Sequence, residues 1–558
     1  MSTVSRVMVI GLDGATLDLI EPWVQAGHLP VLASLMRSGG YSRLRSVFPV
    51  VSSAAWATFM TGTNPGKHGV FDFVYREAGS YRLRPVNRQH IAMPSLWRLL
   101  SEQGRRVGVL NVPITYPPEQ VNGFIVSGLG TPDFKCFTYP PELGNRLLQN
   151  GYRVNRRVYY PWGNEEAFLR DTYEITERLT TTALSLLAES TWDFFMVVYR
   201  DTDNIAHGFW HHMDPSHPDH DPVQSACYRN VILDFYRRLD GYLGDLIAAA
   251  GHNTAVFIIS DHGLGPLYKE VFLNEWLHQR GYLVPRPLPF HRQFLSRVGL
   301  TRENISRLLR WAHLGRLERM VKDLLGDRIF ILPRTGWSDF SDGIDWPRTR
   351  AYSFGYQGQI YINLAGREPQ GIVAPGGEYE ALREELCQAL RELRDPEDGQ
   401  PVVDRIYKRE EIYWGPNLFR APDLVVVMRN FAYITRLGYE FSSQSGQIFG
   451  PSRIRESGGH RLDGVLIAAG PGITRATEER PVAWLGDVMP TILHLLGCAI
   501  PEFVDGRVLR EWLVPDLADR PVLTYQWMPP DSGLAGGGLT ASEEEEILGR
   551  LSDLGYLG

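Results

Sequence analysis

Short runs of consecutive apolar residues alternate along this chain with longer stretches of helical periodicity. The runs at 6–11, 106–110, 194–199, 255–260, 424–428 and 464–468 are apolar at nearly every position rather than at every second one. A strand with one wet face alternates, whereas a strand covered on both faces does not. Between these runs, residues 94–103, 173–189, 229–250 and 378–393 repeat their apolar positions at three- and four-residue spacing, and Gly104 and Gly251 stand where two of these helices should stop. The pattern predicts an α/β protein with a central, largely parallel sheet flanked by helices.

One stretch departs from it. Residues 286–334 hold eleven Lys/Arg against four Asp/Glu, and Ile305, Leu308, Leu309, Ala312 and Leu314 follow a helical period. This predicts a helical cap at 284–345, inserted into a catalytic domain made of 1–283 and 346–530. Its basic face is either a solvated surface or a lid that attracts an anionic substrate or a lipid surface. Residues 531–558 read as a tail with a short helix, capped by Ser542 and acidic in its first turn at 543–546.

Composition narrows the function classes. With 44% hydrophobic and 22% charged residues the chain is of ordinary globular make-up, and its 558 residues exceed the usual size of one core. The net charge of -7 argues against a general nucleic-acid polymer as partner. No window approaches the roughly eighteen apolar residues of a membrane span, and the run at 7–10 is too short for a secretory signal. Cys136, Cys227, Cys387 and Cys498 are scattered, which suits a reducing compartment, so a cytoplasmic enzyme is expected.

The candidate chemistry stands at the carboxyl ends of the apolar runs, where parallel α/β sheets gather their ligands. The first run leads into Leu12-Asp13-Gly14. The run at 194–199 leads into Arg200-Asp201-Thr202-Asp203, with His207 four residues on, and the run at 255–260 into Asp261-His262-Gly263. Gly458-Gly459-His460 precedes the last run. Any one such Asp reads as a turn or cap residue. Three strands ending in carboxylates, two of them with a histidine close by, are not explained by packing. Mixed Asp/His donors suit zinc, manganese or iron and disfavour calcium. Ser52 or Ser53 falls where helical sequence begins (54–60), as a simple cap or as a nucleophile at a helix N-terminus. No general base stands near it in sequence, so a metal ion would have to activate the hydroxyl.

Taken in order, these segments resemble the alkaline phosphatase superfamily, in its type I phosphodiesterase/nucleotide pyrophosphatase branch. The match lies in Asp13, the run from Ser52 through Thr61-Gly-Thr-Asn-Pro-Gly-Lys-His-Gly69, the pair Asp203 and His207, Asp261-His262-Gly263, and Gly458-Gly459-His460. The longer phrases at 61–72 and 459–467 look like a predominantly prokaryotic group described only as phosphohydrolase or phosphomutase. The resemblance implies an alkaline-phosphatase-like fold and two divalent metal ions, Zn or Mn. Asp13, Ser52, Asp261 and His262 would surround one ion, and Asp203, His207 and His460 the other. Ser52, counted back from Thr61-Gly62, would form a covalent phospho-enzyme with a small-molecule phosphate ester.

The sequence also departs from the family. Ala55 stands where nucleotide pyrophosphatases carry an Asn, and Ser53-Ala54-Ala55-Trp56 lacks the Pro and Arg of sulfatases. No arginine lies in the nucleophile motif to grip the extra charge of a monoester, so diesters are expected to be preferred. Asn64, Lys67, Arg200, His211 and His212 are candidate substrate contacts, with turn and solvated-charge readings open beside them. Alternatives are a phosphomonoesterase, a phosphomutase resembling the cofactor-independent phosphoglycerate mutases, and a binding protein whose site has lapsed. A lapsed site loses ligands, whereas all six Asp/His positions and the hydroxyl are present here.

Overall fold

The first apolar run forms the strand Arg6–Leu12, with Thr254–Ile259 on one side and Phe194–Tyr199 on the other, both parallel to it. In the computed structural model, which describes residues 4–132, 136–159, 162–286, 343–435, 446–452, 456–476, 478–528 and 539–554, these strands lie at the middle of a nine-stranded sheet. Val107–Leu110 and Gly123–Val126 extend the parallel core beyond Phe194–Tyr199. Thr138–Tyr139 closes that edge antiparallel. On the other side Asp463–Ala469 runs antiparallel between Thr254–Ile259 and Gly40–Arg45, and Ala483–Trp484 completes the sheet.

Alternate residues of the central strands serve two separate cores. Val7, Val9, Met196, Val198, Phe257 and Ile259 pack with the helix Ser52–Thr61 on one face. Met8, Ile10, Val197, Tyr199, Val256 and Ile258 pack on the other, with the helices Glu165–Glu189, Asp201–Met213 and Val231–Ala250. That double cover is why these strands show no polar alternation.

Two strands differ from the sequence reading. The last run joins the sheet antiparallel, as noted. Leu424–Met428 belongs to a second, seven-stranded sheet in which its partners Gln359–Ile362, Val403–Lys408 and Tyr433–Ile434 are all antiparallel. It is continuously apolar for the same physical reason. Leu424, Val426 and Met428 face the helix Gly377–Arg391, while Val425 and Val427 meet Phe71, Tyr413 and Val50 on the opposite side.

Of the expected cap, 287–342 lies outside the described residues. The chain leaves and returns at one neck, where Pro285 and Ile344 form an antiparallel bridge and the Arg286 N–H donates to Gly343 O at 2.8 Å. The terminal helix is Ala541–Asp553, and its cap is Thr540 rather than Ser542. Thr540 Oγ1 accepts from Glu543 N–H while the Glu543 carboxylate accepts from Thr540 N–H, a reciprocal box that Ser542, already inside the helix, cannot make. Among the described residues no helix is long and apolar enough to cross a membrane.

Candidate active site

Three adjacent strands deliver the acidic residues. Asp13 follows Arg6–Leu12 directly, and its N–H donates to Tyr199 O at 3.0 Å, which ties it to the neighbouring strand end. Asp261 lies two residues beyond Thr254–Ile259 and accepts from Gly14 N–H at 3.3 Å. Gly14 has φ +67°, and a Cβ there would sit 2.8 Å from Asp203 Oδ1, so only glycine lets the two loops close on each other. Asp203 and His207 stand one turn apart on the helix Asp201–Met213, on the same face. His460 is carried by a short strand rather than a loop. Gly458–Arg461 pairs antiparallel with Gly263–Pro266, setting His460 opposite Leu264.

The side chains converge in two groups. His207 Nε2 lies 3.0 Å from Asp203 Oδ1 and 3.0 Å from His460 Nε2, and His460 Nε2 is 3.6 Å from Asp203 Oδ1. His262 Nε2 lies 3.5 Å from Asp13 Oδ1 and 3.4 Å from Asp261 Oδ2. Ser52 Oγ is 3.4 Å from Asp13 Oδ1 and 3.1 Å from His262 Nε2. Ligands at 2.0–2.1 Å on a tetrahedral zinc ion stand about 3.3 Å apart, the scale of these separations. The His262 and His460 rings stack at 3.7 Å, so the two groups share a wall, and His262 is also within ligand reach of Asp203 and His460.

The donor chemistry fits a cation. Carbonyl oxygens only accept, so each of the three histidines donates its Nδ1–H outward: His207 to Gly458 O (2.6 Å), His460 to Val50 O (2.7 Å) and His262 to Gly263 O (3.0 Å). Every Nε2 then points inward, where its lone pair, once free of a proton, can bind a cation, as in metal-binding histidines. Two such lone pairs 3.0 Å apart repel unless a proton or a cation lies between them. Asp203 Oδ1 and Asp261 Oδ2 are buried with no well-aligned donor among the described residues.

The titration behaviour reflects the same crowding. Burial, then the Asp261 and Asp203 charges, push Asp13 well above the usual carboxylate range. Burial and then Asp203 push Asp261 to about 8. For Asp203 burial acts in the same sense, but the His207 charge outweighs it and holds the carboxyl low. For His207 burial is likewise outweighed, by Asp203 and Glu456, which hold it near 9. In the metal-free protein, protons stand in for the positive charge that the cluster needs.

Ser52 opens the helix Ser52–Thr61, and Val51 before it supplies no side-chain cap for the first-turn N–H groups. Ser53 Oγ is buried and meets no partner among the described residues. The other candidates lie apart. Asn64 Oδ1 caps Gly66 N–H at 2.8 Å and its Nδ2–H donates to Asp505 at 3.0 Å, while Lys67 Nζ donates to Asp505 at 2.6 Å and to Phe503 O at 2.8 Å. Arg200 donates to Val154 O at 2.8 Å. His211 pairs with Ser457 Oγ and stacks on Trp162, and His212 pairs with Ser225 Oγ. No side chain of these five shares a hydrogen bond or ion pair with a side chain of the cluster.

Three contributors escaped the sequence reading. Trp56 Nε1–H donates to Asp13 Oδ2 at 3.1 Å, and its position four residues after Ser52, on the same helix face, was the available signal. Glu456 lies 3.7 Å from His207 Nδ1, and Gln357 accepts from Val50 N–H at 2.7 Å. Neither carries a sequence signal.

A family model described as type I phosphodiesterase/nucleotide pyrophosphatase matches residues 7–440. No curated protein matches the chain in sequence. Among solved structures, phosphonoacetate hydrolase from Sinorhizobium meliloti 1021 in complex with phosphonoformate is similar at a TM-score of 0.53 and 14% identity, over 89% of this chain and 96% of that one. Its complex with phosphonoacetate gives 0.51 at 14% identity, with the same coverage. A complex of murine ectonucleotide pyrophosphatase/phosphodiesterase 5 with AMP gives 0.48 at 13% identity, over 89% of this chain and 96% of that one. The first two likenesses are of fold, and the family match spans every residue of the cluster except His460. The chain belongs to the type I phosphodiesterase/nucleotide pyrophosphatase family, phosphoric-ester hydrolases of the alkaline phosphatase superfamily.

Proposed function

We propose that the protein hydrolyses a small phosphate diester, using two divalent cations and a covalent phospho-Ser52 intermediate. The family gives the coarser statement, a metal-dependent phosphoric-ester hydrolase. The observation that carries the finer reading is the inward-facing Nε2 of each of His207, His262 and His460, converging with Asp13, Asp203, Asp261 and the Ser52 hydroxyl. Asp13, Ser52, Asp261 and His262 would hold one ion, and Asp203, His207 and His460 the other. When bound, a pair of Zn or Mn ions supplies positive charge against the phosphoryl oxygens and eases loss of the serine proton.

The chain's own residues do the rest. Ser52 Oγ attacks phosphorus from the start of its helix, whose N-terminal dipole favours the anion that develops. The Ser52 Oγ–P bond forms as the bond from phosphorus to the departing oxygen breaks, and the proton lost by Ser52 leaves with that oxygen as the alcohol. Water then attacks phosphorus, the Ser52 Oγ–P bond breaks, a proton from the water returns to Ser52 Oγ, and the phosphate monoester leaves. Trp56 and the three carbonyls hold the carboxylate and the rings in orientation throughout. Among the described residues, no lysine or arginine pairs with Asp13, Asp203 or Asp261, so nothing there matches the second charge of a monoester. The neck at Pro285 and Ile344 supports a catalytic body of 1–283 and 346–530 with 284–345 inserted.

A screen of chromogenic phosphate mono- and diesters and a sulfate ester tests this, on protein stripped by chelation and then given Zn, Mn or Ca. Chelation should abolish hydrolysis, Zn or Mn should restore it and Ca should not, with diesters ahead of monoesters. Full activity without metal would refute the mechanism. A monoester preference, or transfer to another hydroxyl of the substrate, would favour the phosphatase or mutase reading.

A further inference from the structure

The second sheet reaches into the site through one loop. Between the strands Ala351–Ser353 and Gln359–Ile362 the chain passes close to His460, whose ring centroid lies 5.2 Å from that of Tyr356. The next residue, Gln357, is 2% exposed and sits at φ +69°, a backbone conformation that side-chain-bearing residues rarely adopt. Its Oε1 accepts from Val50 N–H at 2.7 Å. Val50 is two residues before Ser52, and its carbonyl takes the Nδ1–H of His460. Gln357 thus grips the segment that leads into the serine and orients a histidine of the second group.

Half of its amide is left over. Gln357 Nε2 is buried and meets no acceptor among the described residues. A buried N–H without a partner is costly, and proteins keep few of them. The loop is also pinned, so the amide cannot swing away to find solvent. Asp72 Oδ2 accepts from Tyr356 N–H at 3.0 Å and from Gln359 Nε2–H at 3.2 Å. Thr435 Oγ1 accepts from Gly358 N–H at 2.7 Å and donates to Gly355 O at 3.1 Å. A Cβ on Gly358 would stand 2.2 Å from Val426 O, which holds the loop's backbone against the sheet.

A rigid, buried, unpaired donor held against the segment entering the nucleophile is built for an acceptor that arrives with the substrate. We propose that Gln357 Nε2–H donates to a non-bridging phosphoryl oxygen of the bound ester, which makes Gln357 a substrate-binding residue contributed by the second sheet. This rests on the reading of Ser52 as nucleophile above. The plain alternative is that Gln357 only clasps Val50.

Gln357→Glu separates the two, because glutamate keeps an oxygen to accept from Val50 N–H while losing the donor. Gln357→Leu loses both. In metal-loaded protein, kcat on a chromogenic diester and the inhibition constant of inorganic phosphate would be measured, beside metal content and melting temperature. Both variants should lose on the order of 10²-fold in kcat, the effect of removing one such donor, and bind phosphate more weakly at full metal content. If Gln357→Glu keeps kcat and phosphate affinity within about threefold of wild type, the proposal is overturned and the clasp alone remains. Should Gln357→Leu fail to fold, a structure of the wild-type enzyme with vanadate decides. Nε2 should lie within about 3.2 Å of a vanadate oxygen, and a longer separation from all of them overturns the proposal. Hydrolysis surviving both chelation and Ser52→Ala would reject the two-metal reading itself. Hydrolysis lost on chelation and in Ser52→Ala but intact in Gln357→Glu rejects only the role of Gln357.

Discussion

Ser52 and Ser53 are adjacent, both buried, and chemically identical, yet their surroundings divide them. Ser52 Oγ faces Asp13 and His262, while Ser53 Oγ has no partner among the described residues. Ser52→Ala should therefore cost on the order of 10⁴-fold or more in kcat, with no phospho-enzyme trapped on acid quench. Ser53→Ala should keep kcat within about threefold and raise the melting temperature, since it removes an unsatisfied buried hydroxyl worth ~1 kcal/mol. The reverse ranking would move the nucleophile to Ser53. Asp72 adds a pH dependence. Burial raises its carboxyl from 3.8 to about 6, against hydrogen bonds from Tyr356, Phe73 and Gln359 that pull it down. The folded state thus holds this proton more tightly than the unfolded chain does. Its stabilising contribution is fully present below 3.8 and is lost as pH rises through 6. Denaturant unfolding should show wild type losing up to about 3 kcal/mol relative to Asp72→Asn across that window. A flat difference would show that Asp72 stays ionised.

At the scale of elements, the short strand Gly458–Arg461 bears on function more than its length suggests. A Cβ on Gly458 would lie 2.5 Å from Ala206 O, on the helix turn between Asp203 and His207. Gly458→Ala should push His460 out of the second group, leaving about one metal ion per chain by elemental analysis and little hydrolysis, with the circular dichroism spectrum unchanged. Two retained ions would show that the strand can shift without losing its ligand. Elements were legible to different degrees. The runs at the sheet centre read correctly because double cover writes itself into composition. The same cover misled at Leu424–Met428, since an apolar run reports burial on both faces and not which sheet supplies the neighbours. The histidine strand was invisible as a strand: Gly458 and Gly459 have no side chains to alternate, and its partner Gly263–Pro266 is as short.

For the whole molecule, the neck at Pro285 and Ile344 makes the inserted segment separable in principle. Replacing 287–342 by a short Gly/Ser linker should leave a folded protein that still binds two metal ions, since the ends already meet in a bridge. An unfolded product would show that the segment belongs to the catalytic body. Local runs and short motifs already carry the α/β class, the order of the Asp- and His-bearing segments and the residue types that suit a cation. The long-range pairings come from the folded chain alone: that His460 meets His207 across 253 positions of chain, that Val50 orients His460, and that Gln357, on a loop of the second sheet, lies against the segment leading into Ser52. Periodicity records how well a residue is covered. It carries no record of which distant residue does the covering, and that pairing is settled by packing and hydrogen-bond satisfaction across the folded chain.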